Sequence, residues 1–412
     1  MVTRAGWPPL LAKCASAWTV AWTALLAPTI RRIRPHDPPR SILVIHLDNL
    51  GDAILYSPFV ESLRTRWPEA GITLVTNSWL TAFWNTCPWI DEVIGFDFPK
   101  SRILRSLLLP WIARRFVRRQ GLEDRCFDLI VVPRWEMDMR GAKMIASMCG
   151  RDRAVGYSES VNVLTQKLNW SFDRLLGHPV SSHGGVTHEA ERSRDLLAYL
   201  DCPPPNPPRT WVSADGRIRA LRSLDQKCGA ASLTIGLGVG AGHPKRIWPV
   251  ERFIDVLREL GPADDGPLRL VVFGGKGDAS AAKSISNAFP GSVFDATSQL
   301  GFNEIAGLMH ACDLFIGNDS GPMHLAAAAG VPVIEISCHP MGGSPEHENS
   351  PHRFGPYNVP SVIIRPERPV PPCADACEAS GLHCLAAVSS DRVAKAARQR
   401  LPESVRSGRR LR

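Results

Sequence analysis

The sequence of 412 residues predicts an α/β protein built from two parallel-sheet halves. Short apolar runs alternate with segments of helical periodicity over residues 41–132, and the alternation restarts over residues 233–336. Between the two series lies a proline-rich segment, residues 203–208, which is typical of a linker. A hydrophobic share of 44% with 21% charged residues is typical of a globular protein. The chain is long enough for two or three domains.

The first forty residues differ from the rest. Residues 14–30 carry almost no charge and are followed by Arg31, Arg32 and Arg34. A stretch of about 17 residues is at the lower limit for a membrane span. We expect residues 1–40 to be a membrane-associating segment and linker, most simply an interfacial helix with a basic flank. A single anchor and a cleaved signal peptide are the alternatives.

In the first half, apolar runs at 41–47, 72–76, 93–96 and 129–132 predict strands, and residues 53–67 predict a helix. Residues 102–119 interleave arginines with bulky apolar residues. This pattern is typical either of a solvated helix face or of a basic amphipathic segment that lies on an anionic membrane surface. A further helix is predicted over residues 188–200.

The second half predicts strands at 233–237, 268–273, 314–317 and 331–336, with helices at 248–260, 303–312 and 323–329. Three glycine-containing loops, residues 238–246, 274–278 and 318–321, each follow a strand. Ligands of such sheets bind at the carboxyl ends of the strands, so these loops can converge on one ligand.

The loop that follows the strand at 314–317 indicates an anion site. Asn318, Asp319 and Ser320 are helix-capping residue types, and Pro322 suits a first helical turn. His324 lies within that turn, where a hydrogen bond donated to an anion is natural. Backbone N–H groups and the helix dipole would face the ligand there. The alternative is an ordinary capped helix.

Three separated blocks resemble glycosyltransferase family 9, the bacterial lipopolysaccharide heptosyltransferases: residues 42–55, 240–253 and 318–328. The resemblance covers roughly residues 41–390 and not the first forty. It implies a GT-B architecture, in which two Rossmann-like domains face each other across a cleft. By this resemblance we expect an acceptor domain at 41–208, a nucleotide-sugar donor domain at 209–390, and a C-terminal helix with a basic tail at 391–412.

The resemblance also implies inverting transfer without a metal or other cofactor, and the sequence contains no Asp-x-Asp pair of the kind that holds a divalent ion. Asp52 matches the carboxylate of the family's Gly-Asp turn and is the candidate general base. A helix N-cap is its alternative role. Asp48 lies in the same loop and could share the catalytic role.

The donor-binding residues are expected in the second half. At Ser320 the family more often has threonine, and His324 matches a family histidine. Spacing from Trp248 favours Arg246 as the family's phosphate-contacting cation, whereas residue identity favours Lys245. The full set of donor or phosphate candidates is Gly240, Gly242, Lys245, Arg246, Lys276, Asp319, Ser320, Gly321 and His324.

The acceptor side is expected to contain His46, Asp48 and Asn49. His46 and Asn49 occupy positions where the family often has arginine, so this departure leaves the acceptor open.

Near the C-terminus, Cys373, Cys377, His383 and Cys384 resemble a metal-ligand set. The adjacency of His383 and Cys384 argues against both reaching one ion, so we expect no metal and favour packed thiols. A disulfide and a structural metal are the alternatives.

The predicted function is transfer of a heptose or related sugar from a nucleotide sugar, by resemblance ADP-heptose, to a lipopolysaccharide core or other lipid-linked glycan. A net charge of +8 favours anionic partners, and no nucleic-acid signature is present. We expect a cytoplasmic enzyme in peripheral contact with an anionic inner membrane. A nucleotide-sugar epimerase of the same fold and a non-catalytic sugar-nucleotide binder are the alternatives.

Overall fold

The computed structural model describes residues 9–27, 37–99, 102–182, 185, 187–229, 231, 233–261, 268–297 and 300–401. The predicted basic flank at 31–34 and the basic tail at 402–412 therefore lie outside the described residues. The chain divides into two compact units. The first comprises Met1–Asn49, Pro58–Gly185 and Glu191–Asn206, and the second comprises Leu50–Ser57, Val186–Ala190 and Pro207–Arg412.

The first unit contains a parallel sheet of six strands. Its strands are β1 (Ser41–His46), β2 (Gly71–Asn77), β3 (Glu92–Phe96), β4 (Leu129–Val132), β5 (Ala154–Tyr157) and β6 (His178–Val180), in the spatial order β3-β2-β1-β4-β5-β6. The central strands are buried along almost their whole length, which explains why they are continuous apolar runs.

Helices precede, connect and follow the strands of this sheet. They are α1 (Pro9–Leu26), α2 (Leu50–Arg66), α3 (Thr81–Trp84), α4 (Arg102–Arg119), α5 (Ala142–Gly150), α6 (Val163–Leu168) and α7 (Arg194–Tyr199). The first residues of α2, Leu50–Ser57, group with the second unit.

The second unit contains another parallel sheet of six strands. Its strands are β7 (Leu233–Gly238), β8 (Leu268–Phe273), β9 (Val293–Ala296), β10 (Leu314–Asn318), β11 (Val333–Ile336) and β12 (Ser361–Ile364), in the order β12-β11-β10-β7-β8-β9. The helices are α8 (Ala214–Cys228), α9 (Val250–Leu260), α10 (Ala279–Ala288), α11 (Phe302–His310), α12 (Gly321–Ala328), α13 (Pro351–Phe354) and α14 (Ser390–Arg400).

Both sheets have the same topology. In each, the first and fourth strands of the unit lie side by side at the centre, and the chain leaves them in opposite directions. This is the strand order of Rossmann-like folds, and a crevice opens where the two directions part. The pairs are β1 with β4 and β7 with β10. Topology alone therefore assigns one candidate binding edge to each unit.

Most predicted elements are confirmed, with shifts of a few residues at their ends. The strand predicted from residue 331 starts at Val333 because Pro332 precedes it and cannot donate a ladder hydrogen bond. Gly330, at φ 78°, ends α12 as predicted. The pattern did not predict β5, β6, β9 and β12, which are short.

The continuous helix predicted over 188–200 is wrong. The structure has a 3₁₀ turn at Glu189–Glu191 and then α7 from Arg194. The Nε2 atom of His188 lies 2.9 Å from the carbonyl of Gly355, and Glu189 forms an ion pair with Arg353 at 2.6 Å. Both contacts lie within the second unit, and they keep this segment out of the helix.

The N-terminal helix α1 packs against the first unit. Thr19, Val20 and Thr23 are buried, and the hydroxyl of Ser16 donates to the carbonyl of Leu168 at 2.6 Å. None of the described helices has the length and apolar character needed to cross a membrane.

Candidate functional site

The binding edge of the first unit contains a buried acid and a buried imidazole. Strand β1 ends at His46, and Asp48 follows in the loop. The Nε2 atom of His46 lies 3.3 Å from Oδ2 of Asp48, and both side chains are 2% exposed. The first acceptor-side prediction thus falls at the place where topology puts a ligand crevice.

Two arginines that the sequence analysis missed complete this edge. Arg134 forms an ion pair with Asp48, and Nη1 of Arg140 lies 3.9 Å from the same carboxylate oxygen. Arg140 also donates from Nη2 to Oδ1 of Asn49 at 2.9 Å. These arginines follow β4, which pairs with β1, so the carboxyl ends of the two strands bring them to the same edge. If the strand order had been known, the residues that follow β4 would have been candidates for this edge.

Burial and the two arginines together keep His46 neutral. Burial first, and then the charges of Arg134 and Arg140, lower the pKa of His46 from 6.5 to about 3. His46 is therefore neutral near pH 7, and the arginines provide the positive charge of this edge. The family's arginines at positions 46 and 49 are absent here, but cationic side chains reach the same loop from β4.

In the second unit, Asn318 holds the binding edge together. Its side chain is fully buried, donates to the carbonyl of Val239 at 2.8 Å, and accepts from the backbone N–H of Trp248 at 3.1 Å. The loop after β7 and the end of β10 are therefore tied to each other. This is the second crevice that topology predicts.

Arg246 faces this edge. Its Nη1 atom lies 3.3 Å from Oδ2 of Asp319, a carboxylate that is only 6% exposed. Burial disfavours the charge of Arg246, but Asp319 outweighs this effect and raises the pKa of the guanidinium. Among the described residues the Nε atom of Arg246 has no hydrogen-bond partner. The guanidinium thus keeps donor capacity for a ligand.

Lys245 points elsewhere. Its ammonium group is buried and donates to the carbonyl of Cys377 at 2.9 Å. Of the two cations that the sequence left as candidates, Arg246 is therefore the one that lies beside Asp319 at the candidate binding edge.

The glycine loops meet as the sequence analysis expected. A Cβ atom on Gly240 would lie 2.2 Å from Oδ2 of Asp278, and one on Gly274 would lie 2.6 Å from it. Only glycine permits the two loops to close around this carboxylate. Gly242 lies against the end of the Arg246 side chain, whereas Lys276 is exposed in the turn Lys276–Asp278.

The start of α12 carries the remaining donor candidates. Ser320 precedes the helix, and its hydroxyl donates to the carbonyl of Asn318 at 3.2 Å instead of capping the helix. Gly321 is the first helical residue. Burial first, and then His188 and Arg246, lower the pKa of His324 from 6.5 to about 3. His324 is thus neutral near pH 7, and its Nδ1 atom makes no hydrogen bond to any described residue.

The candidate base Asp52 lies in the first turn of α2, two residues after the helix begins at Leu50, and not at the N-cap position. It is partly exposed and groups with the second unit. A Cβ atom on Gly51 would lie 2.7 Å from Cδ2 of His324, and one on Gly321 would lie 3.1 Å from Leu50. The first and third sequence blocks are therefore in direct contact.

A buried acid in the second unit was also missed. Glu335 on β11 is 1% exposed and lies near Asp319. Burial first, and then the Asp319 charge, raise the pKa of Glu335 well above 4.5. Because Glu335 lies within an apolar strand, no periodicity could have singled it out.

The arrangement in the second unit suits a diphosphate. Glycine loops permit close approach of backbone, α12 presents the positive end of its dipole, and Arg246 adds a charge. A carboxylate, Asp52, lies one residue from the glycine that touches His324. An anion-binding edge next to a carboxylate can hold a leaving phosphate and accept a proton.

Comparison with known proteins gives a family match. The profile described as glycosyltransferase family 9 (heptosyltransferase) matches residues 155–381, which is more than half of the chain. The second and third sequence blocks lie within this match, and the block at 42–55 precedes it. Among curated proteins, no sequence matches significantly.

Solved structures agree with the fold. A glycosyl transferase of family 9 from Veillonella parvula is similar at 23% identity, over 89% of this chain and 98% of its own, with a TM-score of 0.67. ADP-heptose lps heptosyltransferase II of E. coli follows at 21% identity, 87% and 98% coverage and 0.63. E. coli heptosyltransferase WaaC with ADP has 16% identity, 87% and 99% coverage and 0.62. The two six-stranded units thus form a GT-B fold.

Proposed function

The chain belongs to glycosyltransferase family 9, and we propose that this glycosyltransferase transfers a heptose from ADP-heptose to a lipopolysaccharide core or another lipid-linked glycan. Two structurally similar proteins support the donor, because one is described as an ADP-heptose lps heptosyltransferase and the other as a heptosyltransferase with ADP. We assign the nucleotide sugar to the second unit and the acceptor to the first.

The observation that carries the proposal is the contact between Gly51 and His324. A Cβ atom added to Gly51 would lie 2.7 Å from Cδ2 of His324, so the turn that contains Asp52 lies directly against the start of α12. A base and an anion site must be neighbours if one displacement is to use both. Asp52 is the residue next to Gly51, whereas Asp48 lies at the edge of the first unit with Arg134.

The proposed reaction is one displacement. The acceptor hydroxyl oxygen forms a bond to the anomeric carbon while the bond from that carbon to the diphosphate oxygen breaks, so the configuration inverts. The carboxylate of Asp52 accepts the hydroxyl proton as the oxygen attacks. The bonding electron pair leaves with the nucleoside diphosphate.

The charge that develops on the leaving group needs stabilisation. In this proposal the N-terminal end of α12 and Arg246 provide it, with a hydrogen bond from neutral His324. Asp319 holds the Arg246 guanidinium in place at 3.3 Å. These groups give a protein-based alternative to a divalent ion at the diphosphate, which supports metal-independent transfer.

The acceptor is proposed to carry an anionic group. At the edge of the first unit, Arg134 forms ion pairs with Asp48 and, at 3.5 Å, with Glu136. The Nη1 atom of Arg140 lies 3.9 Å from Asp48, and His46 is neutral. Guanidinium groups are donors that bind phosphates and carboxylates with two parallel hydrogen bonds, so the two arginines support an acceptor that carries such a group.

We further propose peripheral contact with an anionic membrane on the cytoplasmic side. Helix α4 exposes Leu108 and Trp111 together with Arg115, Arg118 and Arg119. The ring of Trp111 packs against Trp22 of α1 at 4.8 Å. Exposed aromatic and apolar side chains flanked by arginines are the pattern of an interfacial helix.

Calorimetry tests the donor site. ADP-heptose, ADP, UDP-sugars and GDP-sugars are titrated into the purified chain without added divalent ion. We expect ADP-heptose to bind best, and Ser320→Ala and His324→Ala to weaken it. Equal binding of all nucleotides, or binding that requires magnesium, would contradict the proposal.

Vesicle co-sedimentation tests the membrane contact. We expect binding to vesicles with anionic lipid, weaker binding at high salt, and loss of binding in an Arg115→Glu, Arg118→Glu double variant. As a control, Arg222→Glu changes an exposed arginine of the second unit. Equal sedimentation with purely zwitterionic vesicles would contradict an electrostatic contact.

A further inference from the structure

A segment of the second unit between β12 and α14 has almost no regular structure. Residues 365–389, 25 in number between the end of β12 at 364 and the start of α14 at 390, contain only a 3₁₀ turn at Cys384–Ala387. Loops of this length without helix or strand are uncommon in compact domains. Yet Cys377 and Cys384 within it are 1% and 0% exposed and belong to the hydrophobic core. Such a segment needs an additional constraint.

The four residues that the sequence analysis considered as ligands come together here. One ligand atom from each of Cys373, Cys377, His383 and Cys384 lies within 4.8 Å of the other three. The Nδ1 atom of His383 is 3.6 Å from Sγ of Cys373 and 3.4 Å from Sγ of Cys384. The adjacency of His383 and Cys384 therefore does not separate their ligand atoms, contrary to the expectation from sequence.

These distances match the edges of a metal tetrahedron. Zinc bonds of about 2.3 Å to sulfur and about 2.0 Å to nitrogen set S–N separations of about 3.5 Å and S–S separations of about 3.8 Å. The two measured S–N distances of 3.6 and 3.4 Å are already at this value. All other pairs of ligand atoms lie within 4.8 Å, which is at most about 1 Å beyond these separations.

From this geometry we infer that Cys373, Cys377, His383 and Cys384 form a closed tetrahedral site for a thiophilic divalent cation, zinc by its donor set. Three sulfurs and one imidazole nitrogen are a ligand set of structural zinc sites. The backbone N–H of Val370 donates to Sγ of Cys384 at 3.4 Å, a contact of the kind that supports a metal-bound thiolate.

The site would also hold the donor-binding loop. The ammonium group of Lys245 donates to the carbonyl of Cys377, and the indole N–H of Trp248 donates to the carbonyl of Val388 at 3.1 Å. Both residues flank Arg246, the cation at the binding edge. A cation that fixes Cys377 would therefore fix the backbone beside Arg246 without touching a substrate.

Metal analysis of the full chain tests the site. The protein is purified without a polyhistidine tag and its metal content is measured by mass spectrometry. We expect about one equivalent of zinc per chain, and less than a tenth of that in Cys373→Ser and His383→Gln. Cys126→Ser, which changes an exposed thiol elsewhere, is the control that should keep the metal. One equivalent of iron lost in the same variants would support the site and identify the ion as iron.

Two further measurements guard against variants that fail to fold. Cobalt added to the metal-depleted wild-type chain should give the visible bands of a tetrahedral thiolate complex. Removal of the metal should lower the unfolding midpoint by about 5 °C or more, and added zinc should restore it. Absence of metal, metal retained in both variants, or a disulfide among these cysteines by mass mapping would overturn the inference. None of these results depends on whether the chain transfers heptose.

Discussion

The two binding edges have the same topology and opposite chemistry. In the first unit, the ends of β1 and β4 bring Arg134 and Arg140 around the buried Asp48. In the second unit, the ends of β7 and β10 bring glycine loops and a helix N-terminus to Arg246 and Asp319. The first edge presents mainly charged side chains to a ligand. The second presents the backbone N–H groups of glycine loops and of a helix N-terminus, together with the guanidinium of Arg246. In the proposed function, the strand order determines where each ligand would bind, and the residues after the strands determine which ligand it would be.

The difference has a physical reason. A diphosphate has a defined shape and many acceptor oxygens, so backbone N–H groups at a helix N-terminus recognise it well. A glycan acceptor with a charged substituent offers fewer fixed oxygens, and long arginine side chains with several donors adapt to it. This contrast supports the proposed assignment of the donor to the second unit and the acceptor to the first.

The strongest test of the contrast is Asp52→Asn, because Asp52 is proposed to act in chemistry and in neither binding step. We expect kcat to fall by about 10²- to 10⁴-fold with little change in donor affinity. Asp97→Asn, at an exposed carboxylate of the first unit, is the control. A variant with near-normal kcat would exclude Asp52 as the base, and lost donor binding would make it a binding residue.

Replacing one arginine in each unit distinguishes the proposed roles of the two edges. Arg246→Ala should weaken ADP-sugar binding by about ten- to hundredfold, since a charge-assisted hydrogen bond contributes about 1.5–3 kcal/mol. Arg134→Ala should leave donor binding unchanged and raise KM for the acceptor. Calorimetry with the donor and steady-state kinetics with varied acceptor measure both effects. If Arg134→Ala weakened donor binding as much as Arg246→Ala, the assignment of one ligand to each unit would be wrong.

The contact that joins the first and third blocks can be broken by one methyl group. Gly51→Ala would place a Cβ atom 2.7 Å from the His324 ring, so the ring or the helix must shift. We expect a loss of about 1–3 kcal/mol in the free energy of unfolding, measured by denaturant titration. Gly275→Ala is the matched control, because its Cβ atom would meet nothing within 4 Å. Equal stability of the two variants would show that the ring moves away without cost.

Both edges contain a neutral buried histidine, and this predicts a shared pH dependence. His46 and His324 have pKa values lowered from 6.5 to about 3. Between these values the unfolded chain binds protons that the folded chain does not, so stability falls as pH drops below 6.5. Each histidine contributes a slope of about 1.4 kcal/mol per pH unit in that window.

The measurement compares unfolding free energies at pH 7 and pH 5 for wild type, His46→Gln and His324→Gln. In each variant the free energy of unfolding should fall less between pH 7 and pH 5 than it does in the wild type, whatever the variant's stability at pH 7. The wild-type comparison also cancels Glu335, whose raised pKa acts in the opposite direction above pH 4.5. An unchanged slope in a variant would mean that its histidine titrates normally in the folded protein.

The sequence by itself determined the local elements and the chemical types at their ends. Buried parallel strands are continuous apolar runs, and helix starts and stops have characteristic residues, so β1, β8 and α12 could be placed to within a few residues. The glycine loops and the Asp-Ser-Gly-Pro-Met-His stretch indicated an anion site because that chemistry is encoded in adjacent residues. The GT-B fold was implied by the resemblance of residues 42–55, 240–253 and 318–328 to glycosyltransferase family 9.

Tertiary structure alone decided which distant residues meet. Arg134 and Arg140 join Asp48 because β4 lies beside β1, and neighbouring strands in a sheet can be far apart in sequence. Lys245 turns to Cys377, and not to the binding edge, because a buried ammonium group needs an acceptor. Contacts between residues that are distant in sequence depend on the path of the whole chain, and a local sequence pattern does not predict them.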